Sequence, residues 1–325
     1  MRKLLAVSLC ALLLASATAS AQRVLSFATL APAGSTWMRV FEASNRELRR
    51  RTGGQLSIRW YAGGVQGDEA EVVRKIRSGR LDGAAITAVG LGQIHRPVLA
   101  FQLPGIFASA SGLTHARDAL RNDIQTAFVG AGFDLLGFGS TGSPRMLSTR
   151  AIRVPTDLRQ AHPWQWRDDL ILPALYAETG AQAVSLQVPE VLSAIQTNRV
   201  DTIIASPLVA ISLQWAANMR YMSQRSDAAS LGAMVLSHSV LSSLPADQQQ
   251  IVREVTAQYD ILLARNVQHD DENAATTLTT RGVQVLELND AERAQWAAVF
   301  TRVRTRLAGT IADAAWINRV EAAGR

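Results

Sequence analysis

Small hydroxyl and glycine residues define the chemistry offered at three places in this chain. Residues 28–37 read Ala-Thr-Leu-Ala-Pro-Ala-Gly-Ser-Thr-Trp, residues 61–69 read Tyr-Ala-Gly-Gly-Val-Gln-Gly-Asp-Glu, and residues 79–90 read Gly-Arg-Leu-Asp-Gly-Ala-Ala-Ile-Thr-Ala-Val-Gly. Each couples an apolar run to a turn of small residues that leads into a helical pattern. Such turns bring backbone N–H groups and hydroxyls to the edge of a cleft, where a small polar ligand is held. Thr29, Ser35, Tyr61, Thr87 and, further on, Ser206 are the donors expected around it. Ser35 serves equally well as a helix cap. Catalysis needs more than these. The chain has no Gly-x-Ser-x-Gly elbow and no His-Glu-x-x-His, and its one cysteine is Cys10. His95, His115, His162, His238 and His269 are dispersed, without the spacing of a metal site. The pattern predicts binding without reaction, cofactor or metal.

The elements that position these turns follow from periodicity. Residues 24–28 read as a buried strand. Trp37, Val40, Phe41 and Leu48 recur at helical spacing up to Arg51, and Gly53-Gly54 ends that helix. Residues 56–61 alternate as a strand, Asp68 opens a helix closed by Gly79, and residues 81–87 form a third strand. Strand, helix, strand, helix, strand implies a parallel sheet with crossover helices. The second half repeats the theme. It has strands at 133–137, 184–186 and 202–205, a helix at 169–179, another opened by Pro189-Glu190, and a further strand at 235–241. The tail reads as helix over 246–268 and 291–311. The fold class is α/β, with two lobes and a cleft beyond the strand carboxyl ends.

A chain of 325 residues exceeds what one small core requires, and 48% apolar with 18% charged residues excludes disorder. Residues 1–21 form a secretory signal: Arg2 and Lys3, an apolar run from Leu4 to Leu14, and Ala19-Ser20-Ala21 as the cleavage site. The mature chain then has no cysteine and enters an oxidising compartment without disulfide or thiol chemistry. Without Arg2 and Lys3, 31 basic residues face 27 acidic ones. The basic residues are scattered, so no nucleic-acid partner is expected. Arg49-Arg50-Arg51 suits a helix C-terminus.

Together these stretches resemble the extracytoplasmic solute-binding proteins of tripartite ATP-independent periplasmic (TRAP) transporters, the DctP-like family. Matching segments are 28–37, 61–69, 79–90, 102–107, 153–158, 180–201, 205–215 and 244–255, and their order carries the match. The resemblance implies two α/β lobes with a hinge, a long helix spanning both, and closure on a small organic acid. It also implies a monomer that delivers its ligand to the membrane permease subunits of a TRAP transporter. The implied lobes are 22–146 with about 235–270, and 147–234, with C-terminal helices at 271–325 packing across them. One departure stands out. After Asp157-Leu158-Arg159 the family continues to an arginine that pairs with the ligand carboxylate. Here Trp164 falls at that position and Trp166 follows it, the mark of a Trp-x-Trp subgroup. After Asp201 the family often offers an Asn before the Pro, and here Ser206-Pro207 stands instead.

Trp164 and Trp166 alternate, so on a strand they share a face. They form either an aromatic wall for a flat, apolar or cationic ligand or interdomain core. Trp37 and Trp215 carry the same two readings. Arg145 and Arg167 are the cations placed to replace the lost arginine, with a solvated surface role as the alternative. Asp68-Glu69 suits a helix start. Beside transport, a periplasmic sensor docking on a signalling receptor and an exported hydrolase complete the hypotheses.

Overall fold

The computed structural model describes residues 22–107, 109, 111–225 and 230–325. The expected signal segment lies outside the described residues. In chain order the first elements are β1 (Arg23–Thr29), α1 (Thr36–Arg51), β2 (Leu56–Tyr61), α2 (Glu69–Arg77), β3 (Gly83–Thr87) and α3 (Ala88–Ile94). β1 pairs in parallel with both β2 and β3, as the alternating pattern requires. Ser35 caps α1 by accepting the Met38 N–H, and the last turn carries Arg49, Arg50 and Arg51. The inner face of α1 buries Trp37, Met38, Val40, Phe41 and Leu48. Phe41 stacks on Trp60 at 4.7 Å. Leu25 and Phe27 of β1 are buried beneath, each worth about 1.5–3 kcal/mol.

A short 3-10 turn (Arg96–Gln102) leads to α4 (Gly112–Ala119), α5 (Arg121–Gly130) and β4 (Phe133–Gly139). Then come β5 (Arg145–Ser148), β6 (Trp164–Trp166), α6 (Ile171–Thr179), β7 (Val184–Leu186), α7 (Val188–Gln196), β8 (Thr202–Ala205), α8 (Pro207–Ser212) and β9 (Tyr221–Ser223). The chain closes with β10 (Gly232–Ser237), α9 (His238–Ser242), α10 (Ala246–Thr280), β11 (Gln284–Leu286), α11 (Asp290–Leu307) and α12 (Ala314–Ala323). Among the described residues the strands form sheets of order β2-β1-β3-β10-β4, β11-β9-β5-β8 and β6-β7. The first sheet is the floor of one lobe, and the other two build the second.

The chain crosses between lobes from β4 to β5, from β9 to β10, and through α10 into β11. α10 packs on α1, β4 and α8. Its 35 residues span about 52 Å.

Several boundaries differ from the sequence expectation. The tail helix runs to Thr280 rather than 268, because no breaker precedes Gly282, whose φ is +96°. The helix expected over 169–179 begins at Ile171, because Asp169 turns back to accept the Ile171 N–H at 2.7 Å. The strand expected over 235–241 starts earlier, at Gly232, and ends at Ser237, where α9 takes over. The helix expected over 291–311 ends at Leu307, and α12 follows. β5, β9 and β11 had no sequence signal: three or four residues are too few to show alternation.

Candidate ligand-binding cleft

A cavity of about 800 Å³ is lined by residues of both large sheets and of β6. Thr29 and Thr87 reach it from the carboxyl ends of β1 and β3, and Ser206 from the end of β8. Trp37, Trp164 and Trp166 line it as well. Six of the ten residues singled out from sequence therefore meet in one place.

The other four lie outside the lining. Ser35 is spent as the α1 cap. Tyr61 ends β2 and packs against the core instead. Arg145 alternates with Met146 on β5, and Met146 is the one that lines the cavity. No described residue bonds the buried Arg145 Nε. Burial holds this guanidinium below its usual range, with Arg225 nearby adding to the effect and Asp271 opposing it. Arg167 pairs with Glu190 at 3.1 Å, both half exposed to solvent.

The hydroxyls of Thr29, Thr87 and Ser206 make their hydrogen bonds within the protein. Thr87 Oγ1 donates to Glu69 Oε2 at 2.8 Å and caps α3 by accepting the Val89 N–H. Ser206 donates to the Thr141 carbonyl and caps α8 by accepting the Val209 N–H. Thr29 Oγ1 accepts the Ala31 N–H. Ser230, which sequence reasoning missed, accepts the Thr141 N–H at 2.8 Å and donates to Gly142 O.

The tryptophans form a continuous wall. Trp164 and Trp166 stack at 5.8 Å with 27° between planes, and Trp215 meets Trp164 edge-on at 5.0 Å. Trp164 is only 4% exposed. Its indole N–H donates to Leu186 O, and that of Trp166 donates to Asp68 Oδ2. Both rings thus offer the cavity their faces rather than their polar edges. Trp37 likewise donates to Ser140 O at 3.0 Å. The two readings of Trp164 merge here: it is interior packing and cavity wall at once.

Charge is distributed unexpectedly. Glu69, buried, accepts from Thr87 N, Thr87 Oγ1 and Gly90 N, and burial pushes its carboxyl up to about 7. Burial likewise raises Asp169 to about 6 and Asp260 to about 7. All three line the cavity. Among the described residues its cationic lining is Arg225 and Arg293. Arg225 pairs with Glu272 at 3.1 Å, and Arg293 pairs with Asp290. Arg225 gave no signal in sequence, because it sits in a polar loop without periodicity. No group of three His, Cys, Asp or Glu side chains among the described residues is placed to hold a metal.

Comparison with known proteins gives the frame for this geometry. A solute-binding protein of Verminephrobacter eiseniae is 23% identical over 253 residues, covering 76% of this chain and 74% of that protein. DctP7, a Bordetella pertussis extracytoplasmic solute receptor binding pyroglutamic acid, superposes with a TM-score of 0.85 at 16% identity, covering 93% of this chain and 99% of its own. The sugar acid binding protein DctPAm of Advenella mimigardefordensis, solved with galactonate, gives a TM-score of 0.86 at 15% identity, with 94% and 98% covered. At such identities these structures establish the shared two-lobed fold. The family model for bacterial extracellular solute-binding protein, family 7 (DctP), matches residues 27–309, and the chain belongs to that family.

Proposed function

We propose that this protein is an exported, monomeric receptor that captures a small organic acid between its lobes and hands it to the membrane subunits of a TRAP transporter. One observation carries the reading. In a chain of this family, residues at the carboxyl ends of β1, β3 and β8 converge on a single cavity lined from both lobes. Among the described residues no helix is long and apolar enough to cross a membrane. The mature chain begins at Gln22 after signal cleavage, with one lobe of residues 22–146 and about 235–270 and the other of residues 147–234. The protein binds without turnover. Thr29, Thr87, Trp164, Trp166 and Ser206 form the walls, and Arg225 is the cation that meets a carboxylate. The solved relatives carry pyroglutamic acid and galactonate, which supports an acid as ligand.

The test is a thermal-shift screen of organic acids, keto acids, amino acids and aromatic acids. A ligand at a hundred times its Kd adds about 2.7 kcal/mol to the folded state, a rise of a few degrees in Tm. A silent screen across all classes would sink the receptor reading.

A further inference from the structure

The cavity departs from what a short, highly polar acid requires. Such an acid needs a fixed cation and several hydrogen-bond partners aimed at it. Here the hydroxyls of Thr87, Ser206 and Ser230 are turned to the protein. The indole donors of Trp37, Trp164, Trp166 and Trp296 are bonded to Ser140, Leu186, Asp68 and Arg153. Most of the remaining lining is ring face and aliphatic side chain, with Gln102, Ser223 and Gln224 among its polar members. The lining also continues past the tryptophan wall to Leu172, Leu288, Trp296 and Phe300, contributed by α6, the loop after β11, and α11. A volume of about 800 Å³ lies in the upper part of the range that encloses drug-sized molecules, roughly 300–1,000 Å³. A four-carbon diacid would leave most of it unfilled. Apolar surface left without contacts forfeits the dispersion and hydrophobic gain that burial provides.

The charges agree with this picture. Glu69 and Asp169 are each bonded to backbone N–H donors at helix starts, and the third acid, Asp260, has Arg117, Arg121 and the Phe138 backbone as its own favourable partners, so none of the three asks for a cationic ligand. Among the described residues Arg225 pairs with Glu272, and both side chains are about half exposed, an ion pair worth little that a ligand carboxylate can exchange at small cost.

We propose that the solute is an amphipathic monocarboxylate whose larger part is apolar, a medium-chain or ring-bearing acid, with its body along the Trp164–Trp166–Trp215 wall and its carboxylate toward Arg225. This rests on the receptor reading above and names its substrate class.

Isothermal titration of the full mature chain with hexanoate, octanoate, decanoate and dodecanoate, beside succinate, galactonate and glucuronate, tests it. Each added methylene that is buried should tighten Kd by about fourfold, and the three polar acids should give no heat of binding. Arg225→Gln should weaken every alkanoate by a similar factor and leave the dependence on length unchanged. A Kd independent of chain length overturns the proposal. Binding of succinate, galactonate or glucuronate with silent alkanoates also overturns it and leaves the receptor reading standing. Silence from both sets also overturns the proposal, and leaves the receptor reading to the wider acid screen.

Discussion

At the scale of single residues, Trp164 shows how position and chemistry part company. The family resemblance implies a ligand-contacting role at its place in the sequence, yet the side chain is almost wholly interior. It packs between Trp166 and Trp215, and its N–H is held by Leu186 O at 3.1 Å. Trp164→Ala should therefore cost about 3–5 kcal/mol of stability, measurable by urea unfolding, besides any loss of ligand affinity. A variant with unaltered unfolding but weaker binding would show that the ring is held by ligand rather than by its neighbours. Sequence alone placed both tryptophans on one face, since alternation on a strand is a local rule. It missed where their indole N–H groups point, because Leu186 and Asp68 are 22 and 98 residues away. Arg145 failed differently: its class was right for a carboxylate, but a one-residue step on β5 gives the cavity to Met146.

At the scale of elements, α10 ties the β4–β5 crossing to the start of α8 through one side chain. Asp271 is buried at 6% exposure on this helix. Its Oδ2 accepts the Ser143 N–H at 3.0 Å, just before β5, and its Oδ1 accepts the Leu208 N–H at 2.9 Å, in the first turn of α8. Gly142 lets the chain pass this close: its φ is +100°, and a Cβ there would lie 2.7 Å from the Asp271 carboxyl carbon. Asp271→Ala leaves two buried backbone donors unpaired and should cost about 3 kcal/mol. Differential scanning calorimetry would register this as a lowered Tm, and an unchanged Tm would mean that water replaces the carboxylate. The helix itself was legible from composition, apart from its last three turns. Its role as a tie was not, because Asp271 reads in sequence as one of several polar residues on a mostly exposed helix. The βαβ order of the first lobe was fully legible for the opposite reason: β1, β2 and β3 are long enough for their periodicity to show, and α1 and α2 carry clear stops.

At the scale of the whole molecule, Asp68 links the start of α2 to β6 and α7. It is the N-cap of α2, accepting the Glu69 N–H with Oδ1, and is itself 1% exposed. Its Oδ2 accepts from two groups of the other lobe, Trp166 Nε1 and Val188 N, each at 3.0 Å. Burial raises the Asp68 carboxyl above its usual range, while the three hydrogen bonds oppose that rise. Holding α2 against β6 and α7 through this acid costs a carboxylate its hydration, repaid by two N–H donors. Asp68→Asn separates the two roles. Asparagine caps a helix as well as aspartate does, so the first lobe should fold normally. Its amide cannot accept at both positions, so either the cap or the link to Trp166 and Val188 is lost. With the cap kept, the open arrangement gains relative to the closed one. Ligand affinity should then fall about tenfold or more, because a ligand that binds only the closed form must supply the missing energy. Small-angle scattering of the variant should give a larger radius of gyration than the parent, and saturating ligand should bring the two curves together. If the variant matches the parent in both scattering and affinity, Asp68 is a cap alone and closure is governed by the tryptophan wall.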